Sequence, residues 1–265
     1  MLPSMLTDRL RLDGRVAIVT GGSRGIGAAC AIGLAEQGAD VVLGARTPET
    51  LAEVAERVRA LGRRAEVVTA DLNNLETLGG LVEAANDAFG RIDIVVNNVG
   101  GTAPRPFLDT KTRHVEEAFR WNVLTAFELT SLAAPALLAS GNGSVINISS
   151  AMGRLRDRGF LAYATAKAAM VHMSRSMAAD LAPKVRVNVV APGSIATEAL
   201  DTVLNDDIRK TMVSYTPMRR LGKVTDIADA VVFLAGDAAS FITGKMLEVD
   251  GGIETPNLPL GLPDL

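Results

Sequence analysis

The 265-residue sequence predicts an α/β protein with a doubly wound parallel sheet of about seven strands and helices on both faces. Short β-branched runs, almost continuously apolar, alternate with longer Ala- and Leu-rich segments along the whole chain. That alternation is typical of a parallel sheet buried on both faces. The predicted strands are 16–20, 41–43, 65–69, 92–96, 145–148, 185–190 and 246–249, and the main predicted helices are 26–37, 51–61, 75–89, 115–138 and 163–181.

The domain organisation follows from the absence of internal breaks in the sequence. No repeat, low-complexity run or linker divides the chain, so we expect one domain over residues 1–265. Residues 1–13 and 254–265 are expected to be tails. Because the second tail contains Pro256, Pro259 and Pro263, it is predicted to be extended rather than helical.

Charge and cysteine content exclude several classes of protein. The chain has 27 Lys and Arg against 30 Asp and Glu, a net charge of −3 with no basic block, which predicts no nucleic-acid partner. Cys30 is the single cysteine, so a disulfide framework within the chain is excluded and a reducing compartment is favoured. Cys30, His114 and His172 lack the spacing of metal ligands, and we predict no metal site.

No membrane association is expected either. The longest charge-free stretch, residues 129–153, contains Pro135 and Gly141, which argue against a continuous apolar spanning helix. Near the start of the chain, Asp8 and Arg9 stand where a signal peptide needs an apolar core. The sequence therefore predicts a soluble, cytoplasmic protein.

A glycine-rich turn, TGGSRGIG at residues 20–27, joins the first predicted strand to the first long helix. Glycines allow the backbone to turn sharply and to approach a phosphate, and a helix N-terminus presents amide donors to it. The spacing G-x-x-x-G-x-G differs from the usual G-x-G-x-x-G pattern. Its place between strand and helix nevertheless predicts a dinucleotide site of the Rossmann type.

The same turn allows an alternative interpretation. Residues 21–25 also match G-x-S-x-G, the strand–turn–helix that presents the nucleophile of α/β-hydrolases, with Ser23 as that nucleophile. A hydrolase would also need an acid and a histidine, in that chain order after the serine. His114 and His172 are the two candidates, and His172 lies inside a predicted helix rather than on a loop.

Tyr163 and Lys167 are four residues apart in a predicted helix, so they share one helical face. An ammonium beside a phenol favours the phenolate and lowers the phenol pKa. A tyrosine in that setting can act as a general acid and base. The pair is also compatible with an ordinary surface contact on a helix.

Over residues 13–253 the sequence resembles the short-chain dehydrogenase/reductase family. The resemblance depends on the order and spacing of several motifs together, with Ser150 thirteen residues before Tyr163. One departure is Val99, where the family usually has alanine. The matching elements are the turn at 20–27, Asp71-Leu72, Asn97-Asn98-Val99-Gly100, Asn122, Ser150, Tyr163, Lys167, Pro192-Gly193 and Thr197.

The resemblance implies a role for each of these positions. Tyr163 would exchange a proton with the substrate oxygen, while Lys167 would lower the phenol pKa and hold the nicotinamide ribose. Ser150 would bond the substrate oxygen, and Asn122 would hold a water in a proton relay. Together with Ser23, Arg24 and Arg46, which are predicted from charge below, the expected cofactor-binding residues are Gly21, Gly25, Ile26, Gly27, Asp71, Leu72, Asn98, Gly100, Tyr163, Lys167, Pro192, Gly193, Ile195 and Thr197.

The end of the second strand indicates which dinucleotide binds. Enzymes of this architecture that use NAD place an acid there, about 20 residues beyond the glycine turn. The corresponding residue here is Ala45, followed by Arg46, and Arg24 lies in the glycine turn. Two guanidinium groups suit the charge and acceptor oxygens of a 2′-phosphate. We therefore predict that NADP(H) is preferred over NAD(H), with Ser23 assisting the two arginines, although both arginines also fit an ordinary solvated surface.

The substrate is less defined by the sequence. Residues 198–223, which include Val203 and Leu204, are predicted to form a lid over the substrate. Runs at 97–101, 191–200 and 216–222 resemble those of bacterial 7α-hydroxysteroid dehydrogenases, and several also resemble 3-oxoacyl-(acyl carrier protein) reductases. The resemblance implies an oxidoreductase for a secondary alcohol or ketone on a bulky apolar body, assembled as a homotetramer. The alternatives are a 3-oxoacyl-(acyl carrier protein) reductase and a nicotinamide-binding regulator without turnover.

Overall fold

The computed structural model describes residues 5–201, 205–258 and 262. Its central element is one sheet of seven parallel strands in the order β3-β2-β1-β4-β5-β6-β7, which confirms the predicted fold class. The strands are β1 (Val16–Thr20), β2 (Asp40–Ala45), β3 (Ala65–Thr69), β4 (Ile94–Asn97), β5 (Gly143–Ile148), β6 (Val185–Pro192) and β7 (Met246–Val249).

Helices connect the strands and cover both faces of the sheet. They are α1 (Leu6–Leu10), α2 (Gly25–Glu36), α3 (Pro48–Ala60), α4 (Gly79–Phe89), α5 (Thr112–Phe119), α6 (Thr125–Ser140), α7 (Leu161–Leu181), α8 (Glu198–Asp201), α9 (Asp206–Tyr215) and α10 (Val224–Ala235).

Successive residues of each strand point to opposite faces, and each face has its own apolar core. Val19 of β1 packs in one core with Leu34 of α2 and Val231 of α10. Its neighbour Ile18 packs in the other core with Leu129 of α6. All five β1 residues are buried, as expected for a strand covered on both sides.

The strand order reverses at β1, which pairs with β2 on one side and with β4 on the other. In parallel sheets a crevice opens beyond the carboxyl ends of the strands at such a point, and ligands bind there. The residues that follow β1 and β4 are therefore brought together.

The predicted strands are present with small shifts at their ends. The bounds of β1, β3 and β7 are those predicted, whereas β4 begins at Ile94 rather than at residue 92. Ile92 is fully buried but precedes the ladder. Next to it, the Asp93 carboxylate accepts hydrogen bonds from Arg91 and from the backbone N–H of Val16.

The prediction of one continuous helix over 115–138 is wrong, because a π-helical turn at Arg120–Leu124 separates α5 from α6. Asn122 of this turn and Thr125, the first residue of α6, bond to carbonyls four residues earlier: Asn122 Nδ2 donates to Ala118 O, and Thr125 Oγ1 donates to Trp121 O. Such bonds compete with the regular helical pattern. π-turns of this kind are frequent at functional sites.

The two predicted tails differ from each other. Residues 1–13 include the helix α1 and Leu12, which is fully buried, while residues 1–4 lie outside the described part. Of residues 254–265, those described are neither helix nor strand; Pro259 and Pro263 are outside the described residues. The predicted lid contains α8 and α9, and its residues 202–204, with Val203 and Leu204, are also outside.

One helical stretch, Thr112–Ser140, is long and apolar enough to cross a membrane by length and composition. A single such stretch is weak evidence for a membrane span, since core helices pass the same test. Leu129, Ala133 and Leu137 of this stretch are fully buried against the sheet.

Candidate active site

The glycine turn after β1 has a backbone conformation and a tight packing that only glycine allows. Gly21 and Gly25 have φ values of 65° and 55°, in the left-handed region that favours glycine. A Cβ at Gly27 would lie 2.1 Å from the Gly21 carbonyl oxygen, so only glycine allows α2 to pack this closely on the turn. Because the first turn of α2 carries no acidic residue, its amide donors face no competing carboxylate there.

The ends of β1 and β4 are locked to each other by Thr20 and Asn98. Thr20 Oγ1 accepts from the backbone N–H of Asn98 at 2.9 Å, and Asn98 Nδ2 donates to the Thr20 carbonyl at 3.0 Å. Thr20 is buried. These bonds fix the floor of the crevice at the point where the strand order reverses.

Asn122 reaches from the π-helical turn to the loop after β4. Its Oδ1 accepts from the Gly101 N–H at 2.8 Å, and its Nδ2 donates to the Gly101 carbonyl at 3.1 Å and to Ala118 O at 2.8 Å. The side chain is fully buried. Both amide hydrogens and the carbonyl oxygen of Asn122 are thus bonded to protein, and the loop is held in one position.

Tyr163, Lys167 and Ser150 converge beside that loop. Lys167 Nζ donates to the Ile148 carbonyl at 2.8 Å and lies 5.7 Å from the centroid of the Tyr163 ring. Ser150 lies close enough to the Tyr163 hydroxyl to lower its pKa. A Cβ at Gly100 would lie 2.8 Å from Lys167 Nζ, so glycine leaves room for the buried amine.

The electrostatics of this group differ from the prediction. Burial raises the pKa of Tyr163, while the hydrogen bond with Ser150 lowers it, and Lys167 is not among the causes. Burial also lowers the pKa of Lys167, to about 7. Lys167, whose amine lies 5.7 Å from the ring centroid and whose own pKa is lowered by burial, does not lower the phenol pKa here as predicted.

A cleft of about 1230 Å³ unites these elements at the carboxyl ends of the strands. Most of the predicted site residues line it, whereas Gly27 and Asn122 lie behind its wall and Asp71 lies in a smaller adjoining pocket with Arg46. The predicted residues that line the cleft are Gly21, Ser23, Arg24, Gly25, Ile26, Arg46, Leu72, Asn98, Gly100, Ser150, Tyr163, Lys167, Pro192, Gly193, Ile195 and Thr197.

The part of the cleft beside the end of β2 carries exposed positive charge. Ala45 ends β2 and is buried, and Arg46 and Arg24 beside it are exposed. Within the described part of the chain, neither guanidinium makes a hydrogen bond or an ion pair. Glu53 and Arg57 of α3 also line the cleft, and no sequence motif pointed to them.

Other lining residues had no signal in the sequence motifs. Trp121 from the π-helical turn and Leu258 from the C-terminal segment line the cleft, whereas His114 and His172 do not. Ser23 therefore has no histidine beside it, which weighs against the hydrolase alternative. No group of three potential metal ligands occurs among residues 5–201, 205–258 and 262.

Comparison with known proteins identifies the family. A family model described as enoyl-(acyl carrier protein) reductase matches residues 21–254. The chain belongs to the short-chain dehydrogenase/reductase (SDR) family. It is an SDR oxidoreductase, a dehydrogenase of the class that acts on CH–OH groups.

Several SDR relatives cover nearly the whole chain. An uncharacterized oxidoreductase of Mycobacterium tuberculosis is 56% identical, over 98% of this chain and 100% of its own. The 7α-hydroxysteroid dehydrogenase of Escherichia coli K12 is 39% identical, over 93% and 96%. A 3-oxoacyl-(acyl carrier protein) reductase of Vibrio cholerae is 37% identical, over 92% and 99%.

A solved SDR structure shares the whole fold. It is a 7α-hydroxysteroid dehydrogenase in complex with NADH and 7-oxoglycochenodeoxycholic acid, 38% identical, with a TM-score of 0.92 over 97% of this chain and 100% of that one. SDR enzymes bind a nicotinamide cofactor. The present residues fit such a group. A Cβ at position 27 would clash with the Gly21 carbonyl oxygen, so the glycine keeps the turn tight, and the α2 N-terminus offers free amides to a phosphate.

Proposed function

We propose that this SDR interconverts a secondary alcohol and a ketone with NADP(H), on a substrate with a bulky apolar body such as a hydroxysteroid. The observation that carries the proposal is the meeting of Ser150, Tyr163 and Lys167 at one point of the cleft, with exposed Arg24 and Arg46 at its other end. The first group provides proton chemistry, and the second provides charge for a phosphate.

The preference for NADP(H) is supported by charge and by the residue at the end of β2. A 2′-phosphate carries about two negative charges and three acceptor oxygens, which two guanidinium forks can bond. A carboxylate at position 45 would repel that phosphate, and the residue there is Ala45. Ser23, in the same turn as Arg24, would add a hydroxyl donor.

The proton chemistry would be carried by the protein side chains. Bound NADP(H) supplies or accepts the hydride. Tyr163 holds the exchangeable proton on its hydroxyl, and Ser150, close to that hydroxyl, orients the substrate oxygen beside it. Lys167 would hold the ribose from its buried place beside Gly100, and Asn122 braces the loop after β4.

The remaining predicted contacts follow the length of the cleft. Leu72, with Asp71 in the adjoining pocket, would meet the adenine, and Asn98 and Gly100 would lie along the dinucleotide. The turn after β6 would fix the nicotinamide amide and its exposed face. Its predicted contact residues are Pro192, Gly193, Ile195 and Thr197.

A bulky apolar substrate is supported by the lining near Tyr163. Leu200 of α8, Met212 of α9 and Ile195 line this end of the cleft. The relatives named as 7α-hydroxysteroid dehydrogenases make steroids the first class to test. An acyl thioester is the second class, since 3-oxoacyl-(acyl carrier protein) reductases are also relatives. The assembled Ser150–Tyr163–Lys167 group weighs against a regulator without turnover.

The test is turnover by the purified chain on a panel of oxo-steroids, 3-oxoacyl thioesters and sugar ketones with NADPH, followed by nicotinamide absorbance. We expect several related steroids to react, because apolar contacts discriminate weakly between similar shapes. Faster turnover of a small polar sugar than of every steroid and thioester would contradict the substrate class. Absence of turnover on the whole panel would contradict the enzymatic proposal.

We also propose a cytoplasmic homotetramer. Support comes from large apolar side chains exposed on α5 and α6, where Phe119, Phe127 and Leu132 are 38%, 48% and 39% exposed. Exposed apolar side chains mark association surfaces where they form a contiguous patch. Light scattering on the eluted protein measures the mass: four chains agree with the proposal, and a monomer contradicts it.

A further inference from the structure

The C-terminal segment after β7, defined here as residues 253–258, borders the cleft through Leu258. It follows the last strand and has no regular secondary structure. Ile253 and Asn257 are nevertheless buried, at 3% and 5% exposure, and Leu258 lines the cleft. The burial of a segment without regular secondary structure indicates that its side chains make specific contacts with the rest of the protein.

Asn257 provides the main attachment of this segment. Its Oδ1 accepts from the Ser194 hydroxyl at 2.8 Å, in the turn after β6. Its Nδ2 donates to Thr216 Oγ1 at 3.0 Å and to the Met212 carbonyl at 3.4 Å, at the end of α9. One buried amide therefore joins the turn expected to meet the nicotinamide to the helix expected to cover the substrate.

A second attachment ties the segment to the opposite side of the cleft. Arg154, in the loop after Ser150, donates from Nη1 to Glu254 at 3.1 Å and from Nη2 to Asp250 at 3.0 Å. The C-terminal segment thus contacts both the loop that carries Ser150 and the α9 end of the predicted lid. Leu258 and Met212 both line the cleft between these attachments.

We propose that Asn257 is a positioning residue that holds α9 and the turn after β6 in register, and that Leu258 limits the size of the substrate body. The inference rests on the proposed alcohol–ketone activity and adds the part of the chain that sets specificity. Loss of the Asn257 amide removes the partner of the Ser194 hydroxyl and the bond that the buried Thr216 hydroxyl accepts, while Thr216 keeps its own bond to the Met212 carbonyl. The Met212 wall can then move relative to the reacting groups.

The kinetic test compares Asn257→Ala and Leu258→Ala with the parent, using ketones of increasing bulk. For Asn257→Ala we expect the KM of the ketone to rise about tenfold, while the Kd of NADPH changes less than about twofold. For Leu258→Ala we expect kcat/KM to shift about tenfold in favour of the bulkier ketones. An unchanged ketone KM, a Kd for NADPH that rises equally, or an unchanged order of substrates would overturn the proposal.

A matched control is Asn205→Ala, at the other end of α9. Asn205 caps this helix by accepting from the Ile208 N–H at 2.8 Å, without contact to the C-terminal segment. We expect this variant to keep the parental substrate order and to raise the ketone KM less than Asn257→Ala does, because it loosens only the first turn of α9. If it changes the ketone KM as much as Asn257→Ala does, a general loosening of α9 explains the effect and the proposal fails.

Hydrogen–deuterium exchange separates this inference from the proposed activity. Asn257→Ala should increase the exchange rate both in the peptide around Ser194 and in the peptide around Thr216. Asn205→Ala should increase it only in the first turn of α9. This readout needs no turnover. If the parent reduces no ketone, the proposed function fails while the exchange pattern still decides the role of Asn257; parental exchange in both peptides would overturn that role.

Discussion

The side chain of Asn122 forms a two-point hydrogen-bonded pair with the backbone of Gly101, accepting from its N–H at 2.8 Å and donating to its carbonyl at 3.1 Å. Asn122 is fully buried and Gly101 is half-buried, and the pair connects the π-helical turn to the loop after β4. That loop contains Gly100, whose backbone comes close to the Lys167 amine. Asn122 therefore sets the position of the loop on which the cofactor would lie.

Replacement of Asn122 by alanine should lower both stability and cofactor affinity. The Gly101 N–H and carbonyl would lose buried partners, at a cost of about 1–3 kcal/mol in the free energy of unfolding. Urea unfolding and NADPH titration measure the two effects. Thr125→Val is the control, since it removes one bond of the same helical turn, to Trp121 O, without touching the loop. Parental affinity for NADPH in Asn122→Ala would contradict the bracing role.

Removal of the Tyr163 hydroxyl should abolish most turnover. Tyr163→Phe loses the proton donor, and general acid catalysis contributes about 10²- to 10⁴-fold in rate. We expect kcat to fall in that range while the Kd of NADPH stays near the parental value. Tyr215→Phe is the matched control, because Tyr215 is the other tyrosine and is 61% exposed. Turnover close to that of the parent by a folded Tyr163→Phe protein would refute the mechanism.

The lowered pKa of Lys167 predicts how stability depends on pH. The group titrates near pH 7 when folded and near its ordinary value of 10.5 when unfolded. Between these values the unfolded chain binds more protons, so the contribution of Lys167 to the free energy of unfolding rises with pH. Below about pH 7 both states are charged, and the cost of burying the charge is fully present.

The measurement is urea unfolding of the parent and of Lys167→Met at several values from pH 6 to 9.5. The parent should gain stability relative to Lys167→Met as the pH rises above 7, and the difference should be flat below it. Burial raises the pKa of the Cys30 thiol to about 12, which lowers stability at alkaline pH in both proteins and cancels in the difference. A difference that stays constant over the whole range would show that the amine is not perturbed.

The strands of the sheet and the pairing of Tyr163 with Lys167 were predictable because both depend on short sequence patterns. The apolar runs fix which strands are buried, and the four-residue spacing of Tyr163 and Lys167 places both on one helical face. The bond from Lys167 Nζ to the Ile148 carbonyl could not be predicted, since it joins residues nineteen positions apart through the packing of α7 on β5.

The role of the C-terminal segment was hidden for a related reason. Its prolines predict an extended chain, and no local pattern indicates that Asn257 is buried or that it reaches Ser194, 63 residues earlier. In the same way, the helical pattern around Asn122 did not reveal a π-helical turn, because the side-chain bonds that favour the turn depend on the loop it meets.

The most direct test of the account is the ratio of kcat/KM with NADPH to kcat/KM with NADH, in the parent and in an Ala45→Asp, Arg46→Ala double variant. Charge-assisted bonds from Arg24 and Arg46 predict that the parent prefers NADPH by about tenfold to hundredfold. The double variant should lose that preference or reverse it, because a carboxylate at position 45 repels the phosphate and can bond the free ribose hydroxyls. Equal or better use of NADH by the parent would contradict the assignment of the two arginines to the phosphate.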